Sequence, residues 1–225
     1  DDIVIILKKN ENIRYFAISN VNSADNIREL IKTIPKHVIL NKLKIKKKFT
    51  FIYTGTLSYK HHFNNIIKLA STNQDSQILI FSNNFFINIM KKIIRKNLIN
   101  NIRIFKPVPY NELHNYLRIA DIGLVNLNND SNNVCVPSKV LTYYSNSLPV
   151  LASMPLSNLA SKNINHYKTG LVSNPNSLTL YLKNAHTLRY NENLKKKLSL
   201  NCKIYANDKF DIIKIREKFL TILNI

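Results

Sequence analysis

The sequence predicts a doubly wound α/β domain built on a parallel sheet, and three observations carry that expectation. Apolar periodicity alternates between strand and helix from residue 49 onward, the pattern of repeated βα units. The strand cores are near-continuous apolar runs, as expected of strands buried on both faces. Residues 134–153, VCVPSKVLTYYSNSLPVLAS, set a proline-led helix start between two such strands, where helix amides are left for an anion.

The elements follow in order. FTFIYT (49–54) is a β-rich run stopped by Gly55, and the next helix gathers Phe63, Ile66, Ile67 and Ala70 on one face. QILIFS (77–82) is the second strand, followed by a long helix carrying Phe86, Met90 and Ile93. NIRIFK (101–106) is the third. NELHNYLRIA (111–120) then spaces Leu113, Tyr116, Leu117 and Ala120 as a helix does, behind a capping Asn111. DIGLVNL (121–127), LPVLAS (148–153) and TGLVS (169–173) complete six strands. Between the first two of these, the helix opened by Pro137 ends near Ser147, and further helices are expected near 176–188, 191–206 and 208–223.

Residues 1–48 read differently. IVIILK and NIRYFAI are strand-like and SADNIRELIKTI is helix-like, too little to build a core alone. The expected organisation is a remnant of a preceding domain with a linker (1–45), the α/β domain (46–207) and a closing helix (208–225). Because the chain begins with Asp rather than Met, more protein is expected before it.

Composition narrows the classes. At 225 residues and 45% hydrophobic, the chain can bury a substantial core. No apolar run approaches the ~20 residues that span a bilayer, so a soluble, cytoplasmic protein is expected, in contact at most with the inner face of a membrane. The formal charge of +20, from 33 basic and 13 acidic residues, favours polyanionic partners. Lys, Asn and Ile are enriched together, however, as a coding bias would also produce, and the two explanations weigh evenly. Two cysteines, Cys135 and Cys202, make neither a disulfide framework nor a metal cluster and suit a reducing compartment.

The chemistry is expected on one rim. Ligands of an open parallel sheet bind beyond the carboxyl ends of its strands, which gathers Gly55, Thr56, Ser82, Asn83, Pro107 to Pro109 and the loop 128–139, with Lys60, His61 and His62 nearby. Of the three glycines, Gly55 suits a sharp turn beside a ligand, Gly123 leaves room for a helix, and Gly170 serves a turn. Pro137 fits the first turn of a helix, and Ser138 and Lys139 add a hydroxyl and an ammonium there. Lys139 opposes the helix dipole, which argues for a functional reason. His61 and His62 are adjacent and point apart on a helix; with no carboxylate cluster beside them, no metal is expected. A GxGxxG fingerprint and a P-loop are both absent.

These segments resemble the C-terminal, nucleotide-sugar-binding half of GT-B glycosyltransferases of the GT4 type, a Rossmann-like domain, and within it the WbuB-like transferases of surface polysaccharide synthesis. FIYTGTLSYKHHFNNIIKLA is similar to the family's opening strand, glycine loop and helix. VPYNELHNYLRIADIGLVNL, VPSKVLTYYSNSLPVLAS and HYKTGLVSNPNSLTLYLKNA match successive later segments. The resemblance implies a metal-independent enzyme without cofactor. It would hold a nucleotide diphosphate sugar, UDP favoured, and pass the sugar to a lipid-linked or saccharide acceptor, with peripheral contact to an anionic membrane and no nucleic-acid partner. Carried over, Gly55, Thr56 and Lys60 approach the phosphates, Asn83 lies on the same rim, and Val108 and Pro109 neighbour the base. Pro137, Ser138, Lys139 and Val140 hold the diphosphate. Val134 and Thr142 stand where the family often carries two glutamates, the second a ribose ligand, and Ser147 replaces its usual glycine. The catalytic base would lie outside this half. Two alternatives remain at this stage: an inactive homologue serving as a binding subunit, and a basic nucleic-acid-binding α/β domain.

Overall fold

The computed structural model describes residues 34–58, 61, 63–129, 136–210, 213, 215–217 and 220. The strands and helix expected within 1–33 lie outside these residues, as do Lys60, His62, Val134, Cys135 and much of the closing helix.

Six parallel strands form one sheet in the order β3-β2-β1-β4-β5-β6. They are β1 (Thr50–Thr54), β2 (Gln77–Phe81), β3 (Ile102–Phe105), β4 (Ile122–Asn126), β5 (Val150–Ser153) and β6 (Gly170–Ser173). The chain runs outward from β1 in one direction, then returns to build β4 to β6 on its other side. That reversal leaves a switch point between β1 and β4, where a crevice opens beyond the carboxyl ends. Phe51 and Ile52 register with Ile122 and Gly123 across it.

Eight helices are described: α1 (Lys36–Lys42), α2 (Asn64–Thr72), α3 (Phe85–Lys96), α4 (Tyr110–Leu117), α5 (Lys139–Ser145), α6 (Leu159–His166), α7 (Leu178–Tyr190) and α8 (Glu192–Lys209). Side chains alternate across each strand, so the sheet feeds two cores. Phe51, Tyr53, Ile78 and Ile80 pack with Ile66 and Ala70 of α2, Met90 of α3 and Tyr181 of α7. Ile52, Leu79, Val125 and Ala152 pack with Tyr116 of α4, Tyr143 of α5, Ile164 of α6 and Cys202 of α8.

Three differences from the sequence expectation have physical causes. Helix α1 was expected as linker. It docks because Ile39 is fully buried in the second of these cores, Ile34 N–H donates to Asn115 Oδ1 at 2.7 Å and Lys42 pairs with Glu112 at 3.4 Å. The N-cap of α4 is Pro109 rather than Asn111, with no side-chain cap bond; its fixed φ presets the turn without one. The helix expected at 191–206 continues to Lys209, with Phe210 as its C-cap.

Candidate functional site

The site begins at Gly55. Its N–H donates to Phe81 O at 3.0 Å, and its φ is +103°, a conformation closed to ordinary L-residues. Space is not the constraint, since a Cβ there would meet only Lys139 Cε and Nζ, both at 3.9 Å. The turn itself demands glycine, and it carries the chain off the end of β1 at the switch point.

Lys139 reaches this turn from α5. Its ammonium nitrogen is buried and lies 3.5 Å from the centroid of the Tyr53 ring. A desolvated cation over an aromatic face gains about 2 kcal/mol, a partial offset to burying it. The Tyr53 hydroxyl donates to Thr56 O at 3.1 Å, so one ring seats the ammonium and also ties down the Gly55-Thr56 turn. Tyr53 is fully buried, and burial pushes its hydroxyl pKa well up, which keeps it a neutral donor.

Helix α5 is anchored four residues further on. Tyr143 is fully buried, and its ring fills the space above Gly123. Its hydroxyl accepts from Thr54 N–H at 3.2 Å and has Ile52 O and Leu124 O as acceptors, each at 3.4 Å. The same side chain therefore fixes α5 against β1 and β4. Lys139 and Tyr143 lie on one face of the helix, which sets Lys139 at the edge.

The remaining rim residues are placed as follows. Thr56 and Asn83 are exposed, Val108 half-buried and Pro109 exposed. Pro137 is buried and Ser138 is exposed; Ser138 makes no side-chain cap bond. Val140 follows at the start of α5. Its side chain belongs to the core, and its N–H is spent on Pro137 O at 3.1 Å. Thr142 is half-buried on α5, and its N–H turns back to Ser138 O at 3.4 Å. His61 was expected in the first turn of a helix. It precedes α2 and closes the loop, its Nδ1 accepting from Ser58 N–H at 3.0 Å.

Three contributors escaped the sequence reading. Tyr53 looked like one more apolar strand residue. Asn84, not Asn83, caps α3 by accepting from Ile87 N–H at 3.3 Å, and its Nδ2 donates to Leu57 O, holding the glycine loop to the next one. Asn65 donates to Ser153 Oγ at 2.9 Å and Pro175 O at 3.4 Å, tying α2 to the carboxyl ends of β5 and β6. The Asx cap was legible as a sequence type; the long-range bonds were not. Among the described residues no cluster of three or more His, Cys, Asp or Glu could hold a metal ion, and no helix is long and apolar enough to cross a membrane.

Solved structures share this fold. WaaG, a glycosyltransferase involved in lipopolysaccharide biosynthesis, superposes with a TM-score of 0.64 at 16% identity, over 84% of this chain and 51% of WaaG. HepE (Alr3699) of Anabaena, in complex with UDP and glucose, gives 0.70 at 14% identity, over 87% and 54%. A variant of S. aureus TarM, in complex with Fondaparinux, alpha-GlcNAc-glycerol and UDP, gives 0.64 at 16% identity, over 99% and 42%. The chain thus spans about half the length of these proteins. No curated protein sequence matches it. The family description "Glycosyl transferases group 1" matches residues 35–204, and the chain belongs to that family, on a GT-B type Rossmann-like domain.

Proposed function

We propose that this domain is the donor half of a glycosyltransferase, holding a nucleotide diphosphate sugar at the switch point with UDP as the favoured nucleotide. The observation that carries the reading is the pairing of Gly55, in a left-handed turn, with the seated ammonium of Lys139. A diphosphate arriving there meets a fixed positive charge at the edge where charge builds up on the leaving group. A preorganised donor of that kind costs no reorganisation at the moment of bond breaking. In this role Lys139 neutralises the departing diphosphate without a metal, Ser138 and Thr56 offer hydroxyls, and Asn83, Val108 and Pro109 border the nucleoside. Family membership and the UDP present in the HepE complex support the choice of donor.

The finer reading is a member of the GT4 type, WbuB-like, acting on a lipid-linked or saccharide acceptor of surface polysaccharide at an anionic membrane. The acceptor-side base then belongs to the other half of the enzyme. Thr142 offers the ribose a hydroxyl where the family often has a carboxylate, which favours one second reading: a homologue that binds donor without turning it over.

Calorimetric titration of the full-length protein with UDP, GDP and their sugars tests both. UDP binding that survives EDTA and weakens in Lys139→Met is expected. No nucleotide binding at millimolar ligand would overturn the proposal, and binding without transfer to a polyprenyl diphosphate sugar selects the second reading.

A further inference from the structure

The opposite edge of the sheet carries a feature that donor binding does not use. Below the amino ends of β1, β2 and β3 lies a cavity of about 480 Å³ lined by Lys44, Lys46, Lys48 and Arg103. It adjoins a second of about 430 Å³, where Lys91 and Arg95 join the shared Lys44 and Arg103. The two make one groove with six cations along it. Among the described residues no acid lines either part.

Among the described residues no ion pair balances that charge. The ion pairs among the described residues join Asp75 to Arg189, Glu112 to Lys42, Asp121 and Glu192 to Lys195, and Asp208 to Lys209; none uses a groove cation. Arg95 lies in the last turn of α3, where a cation complements the helix dipole. Lys44, which follows the C-cap Leu43 of α1, shares that reason; it does not cover Lys46 and Lys48 on the connection to β1. Clefts lined by one sign of charge focus their field and draw in counter-charged ligands.

The rest of the lining mixes aliphatic side chains, Leu43, Ile45, Ile94, Ile102 and Ile104, with polar ones. Gln74 and Asn100 supply amides, suited to hydroxyl groups. Among the described residues Phe105 is the one aromatic in the lining, and it is already stacked on Phe81, with ring centroids 5.2 Å apart. A groove without a free aromatic face lacks the platform on which single-stranded bases stack. Its concave form takes a chain rather than a flat bilayer. We propose that this groove binds a linear acidic saccharide whose carboxylates recur along the polymer. The cations at the amino ends lie a strand length, roughly 16 Å, from the donor edge, while Phe105 lies where the groove reaches the carboxyl end of β3.

The test uses the full-length protein and a fluorescently labelled oligogalacturonate, read by anisotropy in about 0.1 M salt. The variant Lys46→Glu/Lys48→Glu/Arg103→Glu is expected to bind about tenfold more weakly or worse, with UDP affinity unchanged. The control Lys162→Glu/Lys183→Glu/Lys197→Glu removes the same charge from exposed positions outside the groove and is expected to stay within about threefold of the parent. Should charge reversal prevent folding, Lys46→Gln/Lys48→Gln/Arg103→Gln is expected to lose about fivefold. Equal losses in groove and control variants would make the binding a product of net charge and overturn the proposal. So would absence of saturable binding by the parent protein. Tighter binding of an oligonucleotide or of phosphatidylglycerol vesicles through the same three cations would overturn the saccharide assignment.

Discussion

Gly123 links the fold to the donor edge, and replacing it with alanine tests that link. A Cβ at this position would lie 2.4, 2.7 and 2.8 Å from Cδ2, Cε2 and Cγ of Tyr143, where carbon atoms normally approach no closer than about 3.5 Å. One partner must move by about 1 Å, and neither is free to. Gly123 sits in the middle of the sheet, paired with Ile52 of β1 and Val150 of β5. The Tyr143 ring is fully buried, with its hydroxyl tied to both strands. Overpacking of this kind costs about 1–3 kcal/mol, and prising the hydroxyl from its partners adds about 1 kcal/mol. Gly123→Ala is therefore expected to lose about 2–4 kcal/mol in urea denaturation. UDP binding should also weaken, because α5 carries Lys139. Tyr143→Phe keeps every clashing ring atom and leaves the penalty in place, whereas Tyr143→Leu removes the ring and shrinks it. A Gly123→Ala protein within about 0.5 kcal/mol of the parent would refute the account, as would an equal penalty in the Tyr143→Leu background.

Further outcomes follow from the same contacts. Lys139→Met removes a charge-assisted contact of about 1.5–3 kcal/mol, so UDP affinity should fall about ten- to a hundredfold while the denaturation midpoint barely changes. Tyr53→Phe keeps the seat for Lys139 and loses only the bond to Thr56 O, so a severalfold loss is expected; Tyr53→Leu loses both and should bind far more weakly. Burial pushes the Tyr143 hydroxyl up to about 12. The unfolded chain sheds that proton from about pH 10, so stability is level below pH 10 and falls between 10 and 12 by about 1.4 kcal/mol per unit for this group. Urea denaturation across that range checks it, with Tyr143→Phe flattening the slope. Cys202 is fully buried and its thiol is pushed up by desolvation, so it should resist aromatic disulfide reagents until the protein unfolds.

The fold was legible because its signals are local. Near-continuous apolar runs such as QILIF and IGLVN are buried at every residue, as parallel strands between two helical layers must be. The intervening segments carry helical periodicity. Strand ends came within two residues of the structure. Helix α1 was missed for a matching reason: in KHVILNK only Ile39 is buried, and a single anchoring residue sets no period. Its position depends on Asn115 and Glu112, seventy or more residues away, which no window along the chain contains.

The site divides along the same line. Gly55 and Lys139 could be singled out because each breaks a local rule, one by ending a strand on glycine and the other by placing a cation in the first turn of a helix. Tyr53 breaks none. In sequence it is a normal β-former, and only the approach of α5 over the end of β1 turns its ring into a seat for Lys139 and its hydroxyl into a clamp on Thr56. Val140 shows the converse: it is next to the proposed phosphate grip in sequence, yet its side chain and N–H are both used internally. The same distinction applies to the +20 charge. Composition could not tell selected lysines from biased ones. Every acid described between residues 34 and 210 is bridged to a cation outside the acid-free groove. A uniform excess also leaves concavities without acids, so it is binding at this one, against an equal charge change elsewhere, that the paired charge-reversal variants measure.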